Sequence, residues 1–327
     1  MKIGKVSQTV LKRSMLKPLK YKREEAIVEV SPEEMCYGVQ TQEDEQCIST
    51  CASLYGDQKD LGVFALAQVV NDLATRGAKA VGAGIYIMLP PYAYESRLKS
   101  MMEYVEEAAK DHAVQIMCAK AEVFPAIAQA IVTVHGIGVV KEGTLVQSNM
   151  GRADQDIVLL KWIGLEGTLR VMKEKEKELS KRFVPTFLNK IKDLQPQLFS
   201  EKELGMAKEY GVSAMHQITS GGILAALWEI AESSNVGIEV DLKQMTIKQE
   251  TVEICEYFHL NPYQLTSVGS IIIFADQGEA LVEKFREEGI CASLLGRTTQ
   301  DTVRVILGGE ERRFLDRPAA DELLKIY

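Results

Sequence analysis

The sequence predicts a two-domain α/β protein, with strands and helices layered in the α+β manner within each half. Three observations carry this. Strand-type apolar runs recur in both halves, helical stretches space their apolar residues at i, i+3 and i+4, and a polar, glycine-bearing stretch at 141–155 separates the halves. A chain of 327 residues can bury roughly two cores, so domains are expected at 1–150 and 151–327.

In the first half, Ala26–Val30 and Cys47–Thr50 are short strand candidates. A helix follows around Phe64–Gly77, with Leu66, Val69, Val70 and Leu73 on or beside one buried stripe. Gly82–Leu89 is an apolar run stopped by Pro90 and Pro91, which reads as a buried strand. Leu98, Met101, Met102, Val105 and Ala108 give Glu95–His112 helical spacing, and Val114–Cys118 and Ala130–Val140 return to strand. Strands first covered by two helices fit an α+β layer better than strict βαβ alternation.

The second half opens with strand Asp156–Trp162 and a long charged helix from about Glu166. Its Lys173–Glu178 run reads as a solvated, salt-bridged face. Ser200-Glu201-Lys202-Glu203 has the form of a capping box opening another helix. Strands at Gly237–Val240, Ser270–Ala275, Ala292–Leu295 and Val303–Leu307 alternate with helices at Gly222–Ser233, Gln249–Phe258 and Glu279–Glu288.

Composition narrows the function classes. Net charge is −8, yet residues 1–25 hold eight Lys/Arg against two acids, which leaves −14 on the remainder. That acidic remainder repels phosphate backbones, so a nucleic-acid partner is not expected. No run reaches the roughly 18 apolar residues of a membrane span, and no apolar h-region follows the basic start. A cytoplasmic location is expected, with the six cysteines as reduced thiols.

Two segments carry candidate chemistry. Asn71 and Asp72 interrupt the apolar helix, and Asp72 lies at the edge of its stripe. A carboxylate there needs a cation, an Arg or several N–H donors, so it either caps a neighbour or faces a site. The second segment runs from Met215-His216 through Thr219-Ser220-Gly221-Gly222 into an amphipathic helix. A glycine-led helix start suits an anion, although Thr219 or Ser220 could simply be the N-cap.

Four motifs in order sharpen this: Asn71-Asp72-Leu73-Ala74 with Gly77-Ala78, the segment around Glu122, Lys161–Thr168, and Met215-His216 with Thr219 and Gly221-Gly222. Together they resemble the superfamily of aminoimidazole ribonucleotide (AIR) synthetase, selenophosphate synthetase, thiamine-monophosphate kinase and the hydrogenase maturation factor HypE. The HypE-like branch is the nearest, and the likeness covers nearly the whole chain. The resemblance implies an N-terminal domain that dimerises through its sheet and a C-terminal α/β domain. It implies ATP in clefts near the dimer interface, Mg²⁺ on N-terminal acids, and a maturation-protein partner. HypE dehydrates a thiocarboxamide carried on a C-terminal cysteine, by phosphoryl transfer to an amide-type oxygen.

Carried over residue by residue, the implied nucleotide-binding set is Asn71, Asp72, Lys120, Glu122, His216, Thr219, Gly221 and Gly222. Asp72 and Glu122 are the implied metal ligands, with Asp60 a further candidate. The chain departs from the family pattern elsewhere. Met35 replaces an aspartate in Glu33-Glu34-Met35-Cys36, and Thr50-Cys51 stands for a Thr-Asp pair. Cys118-Ala119-Lys120-Ala121-Glu122 loses two glycines and a histidine, Gln217 replaces an acid, and the chain ends Ile326-Tyr327 without a cysteine. Lys120 is expected either to contact phosphate or to pair with Asp72 or Glu122. Cys36, Cys51 and Cys118 fall near the implied pocket, as packing residues or as a soft-metal or redox site. His135 reads as a satisfied core residue, and Trp162 and Trp228 as packing.

Three functions stay open: a nucleotide-sensing or scaffolding dimer with lapsed catalysis, which the lost acids favour, an active ATP-dependent dehydrating enzyme, and a thiol or metal-binding module.

Overall fold

Two units make up the chain, Met1–Ala74 with Ala78–Leu145 and Thr75–Gly77 with Val146–Tyr327, in a computed structural model. The structure describes residues 1–27, 30–34, 36–309 and 311–327. Met35 therefore lies outside the described residues, as do two positions of the strand candidate Ala26–Val30; Ala26 itself makes an isolated antiparallel bridge to Val39.

The first unit contains β1 (Gly4–Lys5), the short helical turn α1 (Gln8–Val10), β2 (Glu45–Gly56), α2 (Leu61–Thr75), β3 (Lys79–Leu89), α3 (Glu95–Asp111), β4 (Gln115–Val123) and β5 (Ala130–Lys141). The strands form one sheet in the order β1-β4-β3-β5-β2. β3 pairs with β4 in parallel, and β5 runs antiparallel to both β3 and β2. Helices α2 and α3 are thus the crossovers that parallel strands require, so βαβ connectivity coexists with the expected helical cover.

Both helices lie on one face. A Cβ at Gly136 of β5 would come within 2.1 Å of Val69 Cγ1, and one at Gly62 of α2 within 2.4 Å of Val105 Cγ2. Leu66, Val69, Leu73, Leu98, Met101 and Val105 are all buried in this layer. Their burial is the main favourable term holding the unit together.

Two arginines of the basic start form ion pairs within this unit. Arg13 pairs with Glu95 on α3, and Arg23 with Glu25 at 3.0 Å. Glu106 accepts the backbone N–H of Tyr21 at 2.6 Å, and the Met1 ammonium donates to Ala93 O at the same distance. Glu95 and Glu106 of α3 thus hold part of the arm.

The second unit contains β6 (Asp156–Leu160), α4 (Leu165–Glu174), α5 (Glu176–Arg182), α6 (Pro185–Lys192), α7 (Glu201–Ala207), β7 (Val212–Gln217), α8 (Gly222–Ser234), β8 (Gly237–Asp241), α9 (Gln249–Phe258), β9 (Ile271–Ala275), α10 (Gly278–Glu287), β10 (Ala292–Thr299), β11 (Arg304–Gly308) and β12 (Glu311–Phe314). Its seven-stranded sheet is ordered β12-β11-β8-β10-β6-β9-β7, with only β11 and β8 parallel. Ile223, Leu227 and Ile230 of α8 join Ile157, Ile272 and Phe274 of the sheet in one buried core.

Two local expectations change. The long charged helix is broken: α4 ends at Lys175 (φ −108°, ψ 20°), and Pro185 then opens α6. Glu176 pairs across to Lys192 at 2.7 Å. The capping box does not form, because Ser200 Oγ donates to Gly269 O at 2.7 Å and Glu203 pairs with buried Lys161 at 3.0 Å. Burial pushes the Lys161 ammonium down while Glu203 opposes it, and Nζ also donates to Gln197 O at 2.9 Å. Both residues of the expected box are used to tie loops together.

Candidate functional site

In the first unit the candidate site grows from the alternation of β4. Ala119 and Ala121 are buried on the helical side, so Cys118, Lys120 and Glu122 project to the opposite, open face. Across this face run aligned rows. Cys118, Gly84, His135 and Cys51 form one, crossing β4, β3, β5 and β2; Lys120, Tyr86, Thr133 and Ser53 form the next.

Aromatic hydroxyls organise the rows. Tyr86 hydrogen-bonds Glu122, and burial together with that carboxylate pushes its phenol up. Tyr37 Oη lies 2.7 Å from His135 Nδ1, over Gly84, where a Cβ would come within 2.5 Å of the same oxygen. His135 is accordingly an exposed, hydrogen-bonded side chain and not a core residue. Burial pushes the Cys118 thiol up, Lys120 pulls it back, and Cys36 and Glu34 add to the rise. Cys118 is therefore held as a thiol. Cys36 and Cys51 are exposed, so neither packs in the core of this unit.

Lys120 makes no ion pair among the described residues, and Tyr86 is the hydrogen-bonding neighbour of Glu122. The expected Lys120 salt bridge with Asp72 or Glu122 is not formed. Asn71 and Asp72 belong to α2, whose Val69 and Leu73 press on Gly136 and Gly138 of β5. Asn71 is fully buried and Asp72 half-buried, at the edge of the stripe. Asp60 is buried immediately before α2, its carbonyl accepting the Val63 N–H at 2.9 Å.

Asp72 thus belongs to a helix of the buried layer, whereas Glu122 projects from β4 to the open face. No group of three or more His, Cys, Asp or Glu able to hold a metal occurs among the described residues. Mg²⁺ prefers an octahedral set of oxygens, whereas the neighbours of Glu122 are a lysine, a phenol and a thiol row. These residues do not fit a resident Mg²⁺ within one protomer.

In the second unit the glycine turn before α8 has its own geometry. Gly221 (φ +85°) and Gly222 (φ +66°) are both left-handed, which β-carbon-bearing residues adopt only at a cost. A Cβ at Gly222 would also lie 2.5 Å from Tyr263 O. No side chain caps the helix, so neither Thr219 nor Ser220 is the N-cap. The Thr219 carbonyl accepts the Gly222 N–H at 3.0 Å. Asp321 Oδ2 accepts the Gly221 N–H at 2.7 Å, so the anion at this turn is the chain's own carboxylate.

Burial pushes the Asp321 carboxyl up, against the Leu323 and Gly221 N–H groups that favour its charged form. His216 Nε2 lies 2.9 Å from Glu229 Oε2 on α8, an arrangement that orients the ring. Gln217 is buried, and Trp162 and Trp228 carry Lys248 and Arg304 over their rings, at 4.0 and 4.9 Å. Sequence reasoning missed Tyr37, Tyr86 and Asp321. Only Asp321 left a signal: it is an Asp before an apolar turn, and its Oδ1 caps that turn through the Leu323 N–H at 2.8 Å.

Residues 35–140 match the model of the AIR synthase related protein N-terminal domain, and residues 152–308 that of its C-terminal domain. A protein of Methanocaldococcus jannaschii, provisionally named for hydrogenase expression or formation, is 26% identical over 82% of this chain and 79% of its own length. Carbamoyl dehydratase HypE of Rhodobacter capsulatus is 24% identical, with the same coverage of each chain. The crystal structure of the hydrogenase maturation protein HypE in complex with ATP superposes with a TM-score of 0.78 at 16% identity, covering 98% of this chain and 96% of that one.

Proposed function

The chain belongs to the AIR synthase-related family, and from that premise we propose that it is a HypE-like nucleotide-binding homodimer of hydrogenase-maturation type that senses or scaffolds without turning ATP over. Fold likeness to an ATP-bound HypE supports the nucleotide. The similarity to hydrogenase-formation proteins supports a partner drawn from that maturation machinery. Asn71, Asp72, Lys120, Glu122, His216, Thr219, Gly221 and Gly222 remain the proposed contacts. The half-exposed face bearing Tyr86, Met88 and Ile131 is the proposed dimer surface.

One observation carries the reading of lapsed catalysis. The acids implied as metal ligands come from different elements, Asp72 from α2 and Glu122 from β4, and the face around Glu122 offers Lys120, a phenol and thiols where metal chemistry needs oxygens. A lysine supplies positive charge to phosphate oxygens but cannot order a metal-bridged transfer.

Thermal unfolding with ATP, with and without Mg²⁺, tests this, because a ligand specific to the folded state raises the midpoint. The expected result is stabilisation by ATP that needs no Mg²⁺, with no phosphate released. Mg²⁺-dependent stabilisation accompanied by phosphate release that Asp72→Asn abolishes would establish the active enzyme instead. No shift at millimolar ATP would remove both nucleotide readings.

A further inference from the structure

Helix α3 carries a charged stripe beside its apolar one. Lys99, Glu103, Glu106 and Lys110 recur at helical spacing, next to buried Leu98, Met102, Val105 and Ala109. Three of the four are exposed, but Glu106 is 8% exposed, at the border of the core. A carboxylate so placed needs donors at both oxygens. Oε1 has two, the backbone N–H groups of Lys20 and Tyr21, the latter at 2.6 Å. Oε2 of the same carboxylate has no hydrogen-bond partner among the described residues. A bare buried oxygen is costly, and a folded protein keeps one where something outside the chain supplies the donor.

Glu106 lines a cavity of about 740 Å³ whose walls are α3 and residues 13–20 of the arm. Five cationic side chains line it against four carboxylates. Two pairs are already made, Arg13 with Glu95 and Lys99 with Glu103 at 3.6 Å. Lys17, Lys20 and Lys110 make no ion pair among the described residues, and exposed Glu107 is the remaining acid. The three ammonium groups are exposed and attract any anion, so selectivity rests on Glu106. Its bare oxygen takes only a donor, best a cationic N–H. A ligand that carries both an ammonium and carboxylates meets the two demands at once. One cationic side chain in excess further matches a ligand of net charge −1, an amine with two carboxylates.

We propose that this cavity binds a small amino dicarboxylate, its ammonium on Glu106 Oε2 and its carboxylates toward Lys17, Lys20 and Lys110. None of the proposed nucleotide contacts lines the cavity, so the site stands apart from the nucleotide reading. A ligand held there bridges residues 13–20 to α3 and stabilises the arm in its docked position.

The test titrates the full chain calorimetrically, at constant pH and ionic strength, with L-glutamate and L-aspartate. Succinate, which lacks the amine, and putrescine, which lacks the carboxylates, probe each half of the site. One of the two amino acids should bind saturably, with succinate and putrescine about tenfold weaker or worse, the scale of one charge-assisted hydrogen bond. Glu106→Gln keeps an acceptor for the Lys20 and Tyr21 N–H groups but removes the carboxylate. It should weaken the amino acid about tenfold and leave succinate no weaker. Lys110→Gln, at an exposed position, should weaken both. Hydrogen exchange on the wild type needs no variant to fold: the bound amino acid should slow exchange over 13–21 and 95–111. Succinate binding as tightly as the amino acids, or equal binding by wild type and Glu106→Gln, would mean that surface lysines merely collect anions, and the proposal falls. It falls equally if neither glutamate nor aspartate binds. Either failure leaves the nucleotide reading untouched.

Discussion

The open face of the first sheet and the glycine turn of the second unit both descend from motifs legible in the sequence, but their chemistry differs. Lys120 is without an ion-pair partner among the described residues, and Cys36, Cys51 and His135 are exposed on or beside the open face. At the glycine turn every group discussed is engaged: Gly221 by Asp321, Gly222 by Thr219, His216 by Glu229. The lesson is that a motif's glycines can be required by packing alone. Gly222 is excluded from bearing a Cβ by Tyr263 O before any ligand is considered. Present-day binding is better sought where polar groups stand unsatisfied.

That contrast can be broken at several points. The largest expected effect is at the buried Glu166–Arg170 pair (3.1 Å), where Thr266 also donates to Glu166 at 2.6 Å. Replacing Arg170 by Met strands a buried carboxylate and should cost about 3–5 kcal/mol in denaturant unfolding. A loss below about 1 kcal/mol, the usual range of exposed pairs, would show that the second unit is less saturated than described. Next comes Gly222→Ala, which meets both left-handed strain and the Tyr263 carbonyl. About 3 kcal/mol is expected, read from the same unfolding curves.

A smaller effect concerns the basic arm. Arg23 holds the Glu25 carboxyl at about 2, and Arg13 and Ser14 hold that of Glu95 at about 2, both below the ordinary value of 4.5. Depressed carboxyls contribute stability above the ordinary value and lose it as pH falls through the folded one. Hydrogen exchange over residues 1–25 should therefore rise as pH drops from 4.5 toward 2, after correction for intrinsic rates. Unchanged protection would mean that the ion pairs do not fasten the arm. The smallest effect is at the open face: His135→Ala should alter unfolding of the isolated protomer by no more than about 0.5 kcal/mol, as for an exposed site.

Helices and strands with clear periodicity were readable. Glu95–His112 appears as Glu95–Asp111, and Ala130–Val140 as Ala130–Lys141. Local capping logic failed where tertiary partners outbid it. Ser200 satisfies Gly269 and Glu203 satisfies Lys161, and no local pattern announces either partner. The short strands β1 and β12 were not legible, because edge strands of two and four residues have too few positions to show alternation. At the candidate site the acids could be named, but not how each is directed. Glu122 is placed by the parity of β4 and Asp72 by the rotation of α2, and parity depends on register, which one chain segment does not state. Asp321 lies a hundred residues from Gly221, so their contact is a property of the fold alone.

The central claim, that this chain binds ATP and does not turn it over, is met most directly by titrating ATP into the wild-type protein with Mg²⁺ present while following inorganic phosphate. The account predicts saturable binding, with phosphate at the level of a protein-free blank throughout. Multiple turnovers per protomer, lost in Asp72→Asn while that variant still binds ATP, would contradict it.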